Sequence, residues 1–382
     1  MQNHIVPDLK SELKSEFVLN RFSGTIANTI ETILDDKRIS PDAAIQLFDL
    51  PLHDLAQLAH IRRLRIKKAD YNGKGDIIVT YHIDRNINYT NICCVRCKFC
   101  AFSRDPHSSD AYVISTEQLD KKIEETIALR GKQILLQGGL NHNLSFQWHL
   151  DLIHHIKQKF PSINIHAFSP PEIVFLSKTS NLSIKNVLQK LIAAGLGSLP
   201  GGGAEILVDS VRQKLSPLKC SSNEWLQVME IAHELGLKSS ATMMFGHIES
   251  RADRITHLNK IRQLQDKTHG FVAFIPWTFQ NKNTALAATK VGPTEYLRTL
   301  AVSRIFLDNI PNIQSSWITQ GPDIAQLALF FGANDLGSIM IEENVVYEAG
   351  ARYRISLEEI VHLITEAGFI PHERNFWYDL ID

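Results

Sequence analysis

Residues 85–103, Arg-Asn-Ile-Asn-Tyr-Thr-Asn-Ile-Cys-Cys-Val-Arg-Cys-Lys-Phe-Cys-Ala-Phe-Ser, hold four of the chain's five cysteines. The spacing that bears chemistry is Cys93-x3-Cys97-x2-Cys100. Thiolates this close along a chain can converge on one inorganic centre, as they do around iron–sulfur clusters. An ordinary cluster takes four cysteines, so a set of three suggests an iron left open to a ligand that is not protein. Zinc is the alternative, since it also takes three or four cysteines. Against zinc, the usual pair of Cys-x2-Cys knuckles is missing and Cys220 is far away in sequence.

Such a centre needs a scaffold, and the composition supplies one. Hydrophobic residues at 44% and charged residues at 21% are ordinary for a globular chain with a large core. With 40 basic and 41 acidic residues, no global field draws the protein to nucleic acid or an anionic membrane. Charged substrates must therefore be held locally. The N-terminal residues lack an apolar stretch of signal-peptide length, and no window reads as a membrane span. Five cysteines, an odd number with four of them in one loop, are unlike a secreted disulfide framework, so a reducing cytoplasm is expected.

The elements that must position the cysteines follow from periodicity. The first 20 residues are polar and are expected as a helical appendage. Ser40-Pro41-Asp42 opens a helix through Ala44, Ile45 and Phe48, and a second runs through Leu55, Leu58 and Ile61. The basic run Arg62, Arg63, Arg65, Lys67 and Lys68 reads as a solvated helix face rather than a nucleic-acid patch. From Ile77–Tyr81 onward strands alternate with helices. Strands are expected at 133–137, 163–168, 196–199, 239–245, 271–276, 312–317 and 327–331. Repeated βα units predict a parallel sheet, and near-continuous apolar strands favour a closed (β/α)8 barrel. The division expected is an N-terminal helical extension over 1–76, a barrel core over 77–375 and a tail over 376–382.

In a parallel barrel the chemistry sits in the loops after the strands. The polar clusters fall there: the cysteine loop, Gln137-Gly138-Gly139, Ser169-Pro170-Pro171-Glu172, Gly201-Gly202-Gly203-Ala204-Glu205, Gly246-His247-Ile248-Glu249, Trp277-Thr278-Phe279-Gln280 and Asn334-Asp335. The triple glycine lacks the spacing of a dinucleotide fingerprint and reads as a turn that lets backbone approach a ligand. His149, His154 and His155 lie on an amphipathic helix and read as solvated.

Cys-x3-Cys-x2-Cys with Phe99 before the last cysteine resembles the radical S-adenosylmethionine (SAM) enzymes. More narrowly, Asp84–Asn91, Gln137–Gly139, His166–Ile173, Gly201–Leu207, Ala241–His247, Phe274–Gln280, Gly332–Gly337 and Glu342–Val345 resemble the cyclic dehypoxanthinyl futalosine synthase family of the futalosine route to menaquinone. The resemblance spans residues 77–375. It implies a [4Fe–4S] cluster on Cys93, Cys97 and Cys100, whose open iron chelates SAM. It also implies a 5′-deoxyadenosyl radical that removes the sugar C4′ hydrogen of dehypoxanthine futalosine. The sugar radical then adds to the benzoate ring, and loss of a proton and an electron restores aromaticity. An electron donor such as flavodoxin or ferredoxin is implied, with neither nucleic acid nor membrane as partner.

The same resemblance suggests roles. Phe99 packs against the adenine, Gly138 and Gly139 present backbone to the SAM amino group, and Gln137 supports them because Leu140 stands where many relatives have glutamate. Met244 and Gly246 line the adenine in a Thr242-x-Met244-x-Gly246-x-x-Glu249 pattern. Ser169, Glu205 and Arg212 are further SAM contacts, with a salt-bridged pair as the plain alternative for the last two. Trp277, Gln280 and Asn334 are candidates for substrate. His247, Glu249 and Asp335 are candidates for proton transfer, each with a purely structural hydrogen bond as its alternative. Cys94 reads as a small buried hydrophobe, and Cys220 has no assigned partner. The nearest competing family is aminofutalosine synthase. Deazaflavin-cofactor synthases are more distant, and a non-catalytic iron–sulfur or zinc protein is the remote alternative.

Overall fold

Polar residues at every second position of several strands set the architecture. On the strand Gln133–Gln137, Ile134 and Leu136 are fully buried, while Gln133, Leu135 and Gln137 face a cavity. Successive side chains of a strand point to opposite faces, so one face packs on helices and the other surrounds polar space. The same split puts Ala241 and Met243 in the core and Ser240 and Thr242 on the cavity.

The structure, a computed structural model, describes residues 21–381. The helical appendage expected over residues 1–20 lies outside the described residues. The strands are β1 (Ile78–His82), β2 (Asp84–Asn88), β3 (Gln133–Gln137), β4 (Asn164–Ala167), β5 (Ser239–Phe245), β6 (Phe271–Thr278), β7 (Asn312–Ile313), β8 (Asp335–Ser338) and β9 (Ile370–Glu373). They form three parallel sheets in the orders β8-β1-β9, β2-β3-β4 and β5-β6-β7. Parallel neighbours need long crossovers, here made by helices, and the fold is α/β. Single parallel bridges run from His166 to Ser198, Leu199 to Ser239 and Gln314 to Asp335. The strand expected at 196–199 is reduced to two of these bridges.

Local signals hold where they are strong. Ser40 caps Pro41–Gln46 by accepting from the Ala43 N–H at 3.2 Å. Complete capping boxes at Ser115, Ser221, Ser250 and Ser356 open four more helices. No helix among the described residues is long and apolar enough to cross a membrane.

Three expectations are corrected. Residues 327–331 are not a strand. They end the helix Pro322–Ala328 and continue as one 3-10 turn, because the apolar pattern there also suits a buried helix face. The eighth strand is Asp335–Ser338 instead. The basic run is not solvated either. Arg62, Arg63 and Lys67 are buried on the helix Leu52–Lys67. Arg63 donates to the carbonyl oxygens of Asp76 (2.9 Å) and Ile78 (3.3 Å), and Lys67 to Asn312 Oδ1 at 2.7 Å. These cations satisfy backbone and side-chain acceptors where β1 and β7 begin. Finally, residues beyond 375 do not trail off, since Phe376 and Tyr378 are buried and line the cavity.

Candidate active site

The cysteine loop leaves β2 and is tied down by backbone. Cys93 N–H donates to Arg104 O (3.2 Å), Cys94 N–H to Leu140 O (3.0 Å), and Cys100 N–H to Cys97 O (3.0 Å). Thr90 and Asn91 hold the return limb through Tyr112 O (2.6 Å) and Asp110 O (2.8 Å). Cys93, Cys97 and Cys100 are free and partly exposed. Burial pushes the Cys97 thiol up to about 11, against the pull of the neighbouring Lys219 ammonium. Cys94 is exposed, not the buried hydrophobe expected. Among the described residues no three His, Cys, Asp or Glu side chains already stand together as a metal site. The donor chemistry, three unpaired thiols in one loop, nevertheless fits thiolate-held iron.

Beside this loop lies the glycine pair. Gly138 N–H donates to Glu172 Oε1 (3.1 Å) and Gly139 N–H to Thr90 O (3.0 Å). A Cβ on Gly138 would meet the Tyr89 ring at 2.5 Å, and one on Gly139 would strike the Ile92 carbonyl. Only glycine fits. With both N–H groups taken, the carbonyl oxygens are what a cationic amino group could meet. Glu172 also accepts from Tyr89 Oη (2.7 Å) and Ser169 Oγ (2.6 Å). Burial raises its carboxyl to about 7 despite these donors.

A cavity of about 280 Å³ runs from this rim into the strands. Gln137, Gly201–Gly203, Thr242 and Trp277 line its upper part, and His82, Asp84, Gln133, His166, Arg374 and Phe376 its depth. The triple glycine does act as a close-approach turn. Gly201 N–H donates to Ser240 Oγ (3.1 Å), and a Cβ there would lie 2.5 Å from Ser240 O.

Other candidates are spent on structure. Glu205 pairs with Lys219 at 2.6 Å, not with Arg212. Arg212 gives its donors to the carbonyls of Ala204 (2.5 Å) and Cys220 (2.6 Å), so Cys220 supplies a backbone anchor. Met244 is buried, and its N–H donates to Glu205 O at 3.1 Å. Gly246, at φ 85°, turns the chain with its N–H on Glu249 (2.7 Å). Glu249 accepts as well from His247 N–H (2.9 Å) and Arg254 Nε (2.8 Å), which anchors the loop. His247 Nδ1 lies 2.7 Å from Ile248 N–H and 2.9 Å from Glu249 Oε2, in a buried pair, and Nε2 lies 3.2 Å from Met244 O. Gln280 folds back on Thr278 O at 3.1 Å. Lys219 lies 5.3 Å from the centre of the Phe99 ring.

Asn334 and Asp335 are the clearest corrections. They were expected after the eighth strand, on the rim, but Asp335 begins β8 and so sits at the opposite end. Asp335 is fully buried in a two-point pair with Arg374 (2.5 and 2.9 Å) and accepts from Thr80 Oγ1 (2.5 Å). Arg374 depresses its carboxyl despite burial. Asn334 accepts from Arg304 (2.8 Å) and donates to Asn312 (2.9 Å). Of the candidates for substrate and proton transfer, Trp277 alone borders the cavity. His149 is buried too, against the expectation of solvation, with Nδ1 2.8 Å from Ser145 O.

Sequence reasoning missed His82, Gln133, His166 and Arg374. For His82 the signal was available in His82-x-Asp84-x-Asn86-x-Asn88, an alternation of polar residues along one strand direction. Such a pattern places polar groups on one face.

Residues 87–261 match the Radical SAM superfamily, and residues 268–382 the CofH/MqnC C-terminal region. Over 358 residues the chain is 46% identical to the cyclic dehypoxanthine futalosine synthase of Halalkalibacterium halodurans, covering 94% of this chain and 95% of that one. The enzyme of that name from Streptomyces coelicolor is 42% identical over 346 residues, covering 90% and 85%. A 5-amino-6-(D-ribitylamino)uracil–L-tyrosine 4-hydroxyphenyl transferase of Methanopyrus kandleri is 40% identical over 326 residues, covering 82% and 88%. Among solved structures, the hydrogenase maturase HydG superposes with TM-score 0.70 at 16% identity, covering 96% of this chain and 79% of that one. Methylornithine synthase gives 0.68 at 16%, covering 90% and 97%. Those two likenesses concern the fold. The chain belongs to the radical SAM superfamily, and within it to the family of the cyclic dehypoxanthine futalosine synthases.

Proposed function

We propose that this enzyme closes dehypoxanthine futalosine into its cyclic form by radical chemistry, as a step towards menaquinone. The observation that carries the reading is 46% identity over 94% of the chain to a synthase of that name. Cys93, Cys97 and Cys100 would hold a [4Fe–4S] cluster, and Cys94 stays outside the set. When bound, the cluster and SAM supply a 5′-deoxyadenosyl radical. The rest is positional work by this chain. Gly138 and Gly139 turn carbonyl oxygens toward the SAM ammonium, braced by Glu172 and Thr90. Phe99, Met244 and Gly246 remain the candidates for the adenine side, with Gln137, Ser169 and Glu205 nearby. The substrate takes the cavity, where Trp277 and the polar floor hold ring and sugar together and exclude water.

In this reading the strands close into a barrel. β1 and β2 are one interrupted strand that pairs with β8 and β9 below and β3 above. The single bridges at 198, 199 and 314 supply the joints between sheets. A small flavodoxin or ferredoxin would deliver the electron, in the cytoplasm.

The second reading rests on the transferase from Methanopyrus kandleri, 40% identical. One anaerobic assay separates them. The reconstituted enzyme receives SAM and a reductant with dehypoxanthine futalosine, with 5-amino-6-(D-ribitylamino)uracil plus tyrosine, or with an enolpyruvyl benzoate. Deoxyadenosine and a cyclised product with the first alone is expected. Turnover only with the second pair or the third substrate overturns the assignment.

A further inference from the structure

Deep in the cavity, His82 and Asp84 form a pair that the roles assigned above leave unused. His82 Nε2 lies 3.1 Å from Asp84 Oδ2, and their side chains are 13% and 4% exposed. Gln133 Nε2 donates to the same carboxylate oxygen at 3.1 Å, and the Asp84 N–H donates to Ser338 Oγ at 3.2 Å. His82 Nδ1 and Asp84 Oδ1 are buried without a hydrogen-bond partner among the described residues. Unpaired buried polar atoms cost free energy unless a water or a ligand in the cavity meets them. Both residues line the cavity that reaches Gln137, Gly202 and Trp277.

The local backbone accounts for the placement. Pairing between β1 and β8 shifts register between Thr80 and His82, a bulge of the kind that re-aims a side chain. Two residues on, Asp84 faces the same way. Burial would raise the Asp84 carboxyl, but its neighbours offset this, and the Oδ2 that faces His82 also accepts from Gln133 Nε2. A charged acceptor on Nε2 fixes the proton there and leaves Nδ1 with a free lone pair. That is the tautomer of a base.

We infer that His82 is the catalytic proton acceptor of the cyclisation and that Asp84 is its positioning residue. The inference rests on the proposed function. After the sugar radical has added to the ring, the C–H bond at the attacked ring carbon breaks. Its electron pair stays in the ring, its proton goes to His82 Nδ1, and the one surplus electron leaves to a one-electron acceptor of the iron–sulfur class. Asp84 stabilises the imidazolium. The other titratable groups facing the pair are His166 from β4, Asp335 from β8, Arg374, and Glu343. His166 Nδ1 is engaged with Ser198 Oγ at 2.8 Å, Asp335 and Arg374 are mutually paired, and Glu343 accepts from Asn86 Nδ2 at 2.8 Å.

The test uses the reconstituted holoenzyme with dehypoxanthine futalosine and counts cyclised product per 5′-deoxyadenosine. His82→Gln is expected to lower the cyclised product formed per deoxyadenosine about 10²-fold, the low end for a lost general base. Asp84→Asn is expected to lower the same ratio, and Asp84→Glu, which keeps a carboxylate, to restore part of it. A merely structural role would lower both products together and leave the ratio unchanged. An unchanged ratio in His82→Gln overturns the inference. Should His82→Gln fail to fold, an unchanged ratio in Asp84→Asn overturns it equally. A parent that forms no cyclised product at all fails the proposed function instead, so the two failures are distinct.

Discussion

At the residue scale, what matters is whether a polar group is already spent. Cys93, Cys97 and Cys100 are free and partly exposed, whereas His247, Glu249, Arg212 and Asn334 have their hydrogen bonds closed within the protein. Serine at any of those three cysteines is expected to abolish the visible absorbance of the reconstituted cluster, and serine at Cys94 to leave it. Equal losses at all four would show that the ligand set is misassigned. Glu172 is the second residue-scale case. It braces Gly138, Tyr89 and Ser169 with one carboxyl. Glu172→Ala leaves those donors without their acceptor at about 1 kcal/mol or more each. SAM affinity, measured by equilibrium binding to the reconstituted enzyme, is expected to fall about tenfold or more, by loosening of the glycine pair.

At the element scale, a strand's starting point decides which end of the fold a residue occupies. Reading 327–331 as a strand put Asn334 and Asp335 on the catalytic rim. A strand that begins at Asp335 puts them at the far end, where they hold β8 to Arg374 and Arg304. The helix Leu52–Lys67 gives the same lesson, since its charges read as solvent-facing until the strands they cap are present. Arg63 supports the start of β1 and packs 4.5 Å from the centre of the Phe369 ring. Arg63→Ala is expected to lower the unfolding free energy by about 3 kcal/mol, from two buried carbonyls left unpaired and lost packing. Denaturant titration reads this directly, and a change under about 0.5 kcal/mol, typical of a surface site, would place Arg63 in solvent after all.

At the scale of the whole molecule, buried histidines govern acid stability. Burial lowers His60, His149 and His233 to about 4, and His166 and His257 to about 3. Each stays neutral in the fold while the unfolded chain takes up a proton below about pH 6.5. Stability is therefore lost as pH falls from there towards these values, at up to about 1.4 kcal/mol per pH unit for each group. Glu172 and Glu343 act in the opposite sense, because burial raises them and the folded state then holds more protons. Five groups outweigh two. The unfolding midpoint is expected to drop between about pH 6.5 and 5. A midpoint that rises over this range would contradict the burial of the histidines.

The sequence by itself determined the chemistry: three closely spaced cysteines, a glycine pair, and a strand–helix alternation that places both on one α/β scaffold. Those features are local, legible because spacing and backbone sterics act over a few residues. Tertiary structure alone decided which polar groups remain available. Asp335 and Asp84 are both buried aspartates at strand starts, yet one is neutralised by an arginine 39 residues away and the other keeps an oxygen unpaired beside His82 in the cavity. That difference depends on partners brought in by β9 and the residues that follow it, and no spacing within either motif encodes them.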